Sequence, residues 1–526
     1  MRTTKPSRRA AGSPKDVHLG KPRGVISPRV QAVGPEHFGI VAVDCAKNRS
    51  KWMLTDFYGR VLIGPTFVEH RSDAFAQAIA QLRLAMTTHH IRDLIVAVER
   101  TGRHHIPAYH AFSAADFDTR VVHPSISRHF RQAGDLDNKT DDTDLAGITL
   151  AAINGFALAE PASDPVFTAL QLWVRHRRDL VEKSSTLRCQ ILEHLGACMP
   201  GYERCFDNVF QNKIALLLPS WCPTPQDVVA AGLAGLTERA RREGVRVHSA
   251  TLLRVLGWAQ NAPDPDPDAA LHRSLLQTLE DDRAVKEKRI RAAECDIVGL
   301  LVQTPYVRLL ALVGVNVVLA GEVAAEAGPM TNYASGRVVT GRAGLYPRRY
   351  QSDQVDYASG SLARRGNRRL RQALLLTSDT LIRCNDHFRV LAAKWNDQGK
   401  DPRDIHVRVA GRFARIAFQM VTGDAAFSHP ACQGDPAVLS KLIEYQHRHA
   451  ITLETTQTNL GRAAANLPAA ERLREHAALQ ARWEAARDRR GSGPRHVREL
   501  LPAVLNQMVG GDATERIEST TSGETP

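Results

Sequence analysis

The chain has 526 residues, 43% of them hydrophobic, which fits two to four cored domains better than one. It holds no run of about 18 apolar residues, so no helical membrane span is expected, and no apolar segment follows its basic start as a secretory signal would need. A formal charge of +13 points to a polyanionic partner, and eight scattered cysteines without a C-x-x-C pair argue against zinc and fit free thiols in a reducing cytosol.

Residues 1–36 read as a disordered basic tail, since eight Lys and Arg face only Asp16 and, at its very end, Glu36, and no hydrophobic period emerges. Order is expected from His37. FGIVAVDCA is a short apolar run suited to a buried strand; KWMLTDF and VLIGPTFVE follow as hairpin strands around the turn Tyr58-Gly59-Arg60. A helix over Ser72–Met86 leads to a fourth strand, LIVAVE, and another helix to a fifth, TRVVH, stopped by Pro124. Helices then start near Ser125 and Thr140. The order βββαβαβα, over residues 37–160, resembles the α/β arrangement of RNase H/RuvC-like domains, in which the first and fourth strands lie parallel and adjacent.

Residues 161–302 turn helical. Two long amphipathic stretches flank an insert that ends in the Pro/Asp linker NAPDPDPD, and they suit either a coiled coil or plain helical packing. Residues 303–425 are mainly α-helical with glycine punctuation. Residues 426–526 read as a helical, polar extension ending in a Ser/Thr/Gly tail, with no assignable chemistry.

Asp44 stands near the carboxyl end of the first strand and Glu99 ends the fourth. Neighbouring parallel strands would present both carboxylates at one sheet edge, where open α/β sheets place ligands. Asp141 and Asp144, three apart, share a helix face, whereas Asp142 points roughly 100° away. Four carboxylates gathered at one point would need a cation, and hard oxygen ligands select Mg²⁺ or Mn²⁺. Each acid also has an ordinary reading: a turn residue for Asp44, a surface ion pair for Glu99, a helix start for Thr140 with its acids.

VAVDCAK with Asp44, VAVERTGRHH with Glu99 and NKTDDTDLAGI with Asp141 and Asp144 together resemble the IS110 family of insertion-sequence transposases. LLALVGVNVVLAGEVAAEAG, AGLYPRRYQS and ARRGNRRLRQAL extend the resemblance over about residues 37–425. The resemblance implies a D-E-D-D metal-binding domain joined by a coiled coil to a transposase domain whose serine forms a covalent link to DNA. It also implies DNA as substrate, an element-encoded guide RNA, and a homo-oligomer in which one protomer's serine meets another's acids. It carries the serine to Ser352 in GLYPRRYQSD, with Ser359 in YASGS as the alternative. A free hydroxyl is a poor nucleophile and needs a metal or base to deprotonate it.

Arg348, Arg349, Arg364, Arg365, Arg368, Arg369 and Arg371 crowd around these serines, a density that points to phosphate contact. VGVN resembles a helix-hairpin-helix turn with Asn316 in place of the second glycine, a residue that tolerates a left-handed backbone. A RuvC-like junction endonuclease would need the acids but not Ser352, and a non-catalytic nucleic-acid-binding descendant would need neither. A kinase of the actin-like fold would need glycine-rich phosphate loops, which are missing. The expected setting is cytoplasmic, at the nucleoid.

Overall fold

The structure is a computed structural model and describes residues 26–134, 137, 139–160, 164–348, 350–352, 355–357, 361–424 and 427–467. The first 25 residues of the basic tail, Arg349, Ser359 and the end of the chain after residue 467 lie outside the described residues. Ser352 is described by its backbone alone. The chain divides into two units, Met1–Ala162 and Ser163–Pro526.

The first unit begins earlier than His37. Ser27 caps a short helix, α1 (Pro28–Val33), whose Val30 is fully buried. Arg29, read as part of the tail, donates to Asp93 at 2.6 Å and also pairs with Asp118, so it ties together the starts of two strands. Six residues make fewer than two helical turns, too few to show a period in a basic stretch.

Three strands follow, β1 (Phe38–Cys45), β2 (Arg49–Asp56) and β3 (Val61–Glu69), then α2 (Ser72–Thr88), β4 (Asp93–Glu99), α3 (Ile106–Ala114), β5 (Asp118–Val122), α4 (Pro124–Gly134), α5 (Asp141–Ile153) and β6 (Ala157–Ala159). The sheet order is β3-β2-β1-β4-β5-β6, with β1, β4 and β5 parallel and the outer strands antiparallel. The expected adjacency of the first and fourth strands is present. The three-residue β6, too short for a pattern, is an addition.

Strand pleating sorts the core into two layers. Val41, Val43, Val96 and Val98 face α2 and α3 through Phe75, Leu82 and Phe112. Ile40, Ala42, Ile95 and Ala97 face α5 through Leu145, Ile148 and Ala152. Burial on both faces explains why β1 and β4 read as unbroken apolar runs.

In the second unit, α6 (Pro165–Cys198) and α10 (Ala269–Leu301) are the two long helices. They run antiparallel: Arg177 pairs with Glu294, Arg188 with Glu287, and the Cys198 thiol meets the Ala269 carbonyl. Between them, α7 (Lys213–Trp221), α8 (Pro225–Arg242) and α9 (Ser249–Ala259) build a core of their own around Tyr202, Leu218, Val228 and Val255. The remainder comprises α11 (Val317–Ala327), α12 (Gly336–Ala343), the hairpin β7 (Tyr350–Ser352) and β8 (Val355–Tyr357), α13 (Arg368–Cys384), α14 (Asp386–Asp397), α15 (Pro402–Thr422), α16 (Asp435–Arg448) and α17 (Leu453–Ala465).

One core joins these helices to Val174 and Ile297 of the long pair. It also takes in Leu442 and Leu460, so α16 and α17 pack as part of this unit. Lys441 on α16 donates to the carbonyls of Leu310, Leu312 and Val315. Asn316 does not adopt a left-handed backbone: its φ is −109°, and its side chain caps α11 by accepting from Leu319 N at 2.9 Å. The left-handed residue of VGVN is Gly314, at φ +93°.

Candidate active site

Strand parity brings the first two acids together. The parallel register pairs Val43 with Val98, so Asp44 and Glu99 are the next residues along adjacent strands. Each has the parity of the α5-facing layer, Asp44 with Ile40 and Ala42, Glu99 with Ile95 and Ala97. The register thus sets the two acids side by side at the ends of these strands. Burial, then the charge of Glu99, then those of Asp144 and Asp141, push the Asp44 carboxyl up to about 7.

α5 brings the other two acids by its N-terminus. Thr140 caps it, accepting from Thr143 N at 3.2 Å while Thr143 Oγ1 accepts from Thr140 N at 2.9 Å. Asp141, Asp142 and Asp144 occupy the first turn, where the helix dipole favours negative charge. Asp144 is raised by burial and by Glu99 and Asp141, against the lowering pull of Arg131 and Lys139. Asp142 pairs with Lys51 at 2.5 Å.

Four neighbours of the acids escaped the sequence reading. Ser127 Oγ donates to Glu99 Oε1, and Thr101 Oγ1 donates to Oε2 at 3.3 Å, so both Glu99 oxygens are engaged. Arg131 Nε meets Asp144 Oδ1 at 2.8 Å. Lys51 is the cross-strand partner of Asp44. The hairpin register could have revealed Lys51, and the four-residue spacing of Ser127 and Arg131 could have placed them on one helix face.

The donor chemistry fits a hard divalent cation. Two neighbouring carboxyls repel once both are ionised, and every donor is oxygen. Among the described residues, however, no three His, Cys, Asp or Glu side chains are grouped as a metal site. Asp144 is turned onto Arg131 and Asp142 onto Lys51. The structure therefore brings Asp44 and Glu99 together and holds Asp141 and Asp144 nearby, rather than gathering all four at one point.

In the second unit Ser352 ends β7, paired with Val355 of β8. Arg348, Arg364, Arg365, Arg368 and Arg369 are exposed, and Arg348 also donates to Ser361 Oγ at 2.7 Å. Arg371 differs from them. It donates to the carbonyls of Ala343, Ala363 and Arg365, clamping the two ends of the segment that carries Ser352. Its place in the expected phosphate-binding cluster is corrected to a structural one. Asn367 caps α13 and reaches back to the carbonyl of Glu326.

Behind this segment lies a buried ion network that the sequence reading passed over. Glu326 receives Arg175 through two hydrogen bonds of 2.9 and 3.0 Å. Glu322 receives Arg178, and Glu294 receives Arg177 and His449. The charges of WVRHRRD and GEVAAEAG thus find each other between α6 and α11.

Two family models match this chain. One, for the DEDD transposase of IS110 elements, is described as a transposase and covers residues 41–200, the span of all four acids. The other, described as the transposase of the IS116/IS110/IS902 family, covers residues 307–392, the span of Ser352 and the arginines. The α/β sheet unit with its acids and the mostly helical unit each contain one of these two matched stretches. Over these two stretches the chain is similar to the IS110 family. It is also 29% identical over 194 residues to a probable family 20 transposase of Pseudomonas aeruginosa. That match covers 36% of this chain and 55% of the other, so the chain spans about half the length of the curated relative it matches. Among the described residues no helix is long and apolar enough to cross a membrane.

Proposed function

We propose that this protein cuts and rejoins DNA strands at the ends of an insertion sequence, with a divalent metal ion at the acids and Ser352 as nucleophile. The observation that carries the reading is the placement of Asp44 and Glu99 side by side on adjacent parallel strands, beneath the acidic first turn of α5. A pair of ionisable acids held so close weakens the metal-free fold, and nucleic-acid binding alone has no use for negative charge there.

Asp44 and Glu99 would hold the ion, Mg²⁺ or Mn²⁺, with Asp141 and Asp144 joining them. Such an ion polarises a phosphate and lowers the pKa of an attacking oxygen. Lys51 draws Asp142 out of the set, and Ser127 and Thr101 keep Glu99 oriented. In the second unit the Arg371 clamp fixes both ends of the loop bearing Ser352, while Arg348, Arg349, Arg364, Arg365, Arg368 and Arg369 bind phosphates. Family resemblance adds an element-encoded guide RNA and a homo-oligomer as partners.

The test is to incubate the protein with DNA carrying the element ends and the flanking transcript, then denature it and look for a covalent protein–DNA adduct. Mass spectrometry should place the adduct on Ser352. Ser352→Ala and Asp44→Asn should each abolish recombination while leaving DNA binding in place. An adduct on Ser359 would move the nucleophile, and cleavage with no adduct would favour a junction endonuclease.

A further inference from the structure

Resting on that reading of the acids, we infer that Ser127 is a positioning residue that sets Glu99 for the metal ion. Ser127 is 2% exposed and lies on α4, outside the strands and the α5 turn that carry the four acids. Its hydroxyl has one proton and two acceptors within reach, Glu99 Oε1 and the Pro124 carbonyl at 3.2 Å. The carboxylate is the stronger acceptor and takes it. With Thr101 on Oε2, Glu99 is held at both oxygens, which leaves its remaining lone pairs pointed in fixed directions.

The backbone of the same residue touches α5. A Cβ on Gly147 would lie 2.7 Å from the Ser127 carbonyl oxygen and 3.1 Å from Arg131 Cβ. Gly147 sits one turn after Asp144, so Ser127 presses on the helix that carries Asp141 and Asp144 while its side chain holds Glu99. One residue thereby fixes the distance between the strand-borne acid and the helix-borne pair. An ordinary buried serine satisfied by Pro124 would do neither.

The test is Mn²⁺ binding to the full chain without nucleic acid, read by calorimetry or electron paramagnetic resonance, alongside thermal unfolding in chelator. Ser127→Ala should weaken Mn²⁺ binding about tenfold, as loss of a group that orients a ligand does. Ser127→Thr, which keeps the hydroxyl, should restore most of that affinity. Unfolding of the metal-free protein should be nearly unchanged in both. Wild-type Mn²⁺ affinity in Ser127→Ala would overturn the inference, as would a loss matched in Ser127→Thr. Asp44→Asn and Glu99→Gln serve as the separate control: wild-type binding in those variants would sink the metal-site reading itself.

Discussion

Asp44 reaches the end of β1 with Glu99 beside it, and burial plus that neighbour's charge move its carboxyl from 3.8 up to about 7. Between those two values the folded chain keeps a proton that the unfolded chain has released. Stability contributed by this group therefore falls as pH rises through that window, and the loss is complete above about 7. Asp44→Asn removes the ionisation. In chelator it should raise the melting temperature by a few degrees at pH 8, by less at pH 5, and leave it almost unchanged only below about 3.8, where both states are protonated. A lower melting temperature at pH 8 would mean that Asp44 stabilises the fold and is not held there at a cost. Added Mg²⁺ should stabilise the wild type more than the variant. Asp44 and Glu99 were legible in sequence because strand parity alone decides which face they share. Ser127 and Arg131 were legible only as sharing a helix face by their four-residue spacing; that this face meets Glu99 and Asp144 depends on how α4 packs, which no local pattern reveals.

Elements fix where those side chains can stand. α4 approaches α5 closely because Gly147 has no Cβ to collide with the Ser127 carbonyl. Gly147→Ala should destabilise the first unit by about 1–3 kcal/mol, the usual cost of overpacking a tight contact, as read by denaturant unfolding. It should weaken Mn²⁺ binding as well, since α5 must shift with its acids. Unchanged stability would show the two helices free to slide apart. In the second unit Glu326 is fully buried against Arg175 and meets Asn367 at the base of the Ser352 segment. Glu326→Ala should cost about 1–3 kcal/mol, since it removes the acceptor of the half-exposed Arg175 and of Asn367, again by denaturant unfolding. A loss below about 1 kcal/mol would place the pair among weakly coupled surface contacts. Long periodic elements such as α6 and α10, and the apolar runs β1 and β4, could be read from sequence because their period repeats. α1 and β6 could not, being shorter than the repeat that would reveal them. Asn316 was misread because a G-V-N turn and a helix N-cap use the same residue types.

At the scale of the whole molecule, the formal charge of +13 says only that a polyanion is welcome; the distribution says more. Arg364, Arg365, Arg368 and Arg369 are exposed beside the N-terminus of α13, while Arg371 of the same run is consumed by three backbone carbonyls. Replacing the four exposed arginines with alanine keeps the clamp and removes up to four phosphate contacts. Each contact to duplex DNA contributes about 0.9 to the slope of log affinity against log salt. The quadruple variant should therefore bind labelled duplex more weakly at 50 mM salt, with a slope shallower by up to about 3.6. Asp44→Asn, in the other unit, should leave that slope unchanged. Fluorescence anisotropy between 50 and 200 mM salt, roughly the range over which such contacts are felt, measures both. A slope that stays at the wild-type value in the quadruple variant would mean these arginines face solvent, and the polyanion site would have to be sought among the other basic residues of the chain.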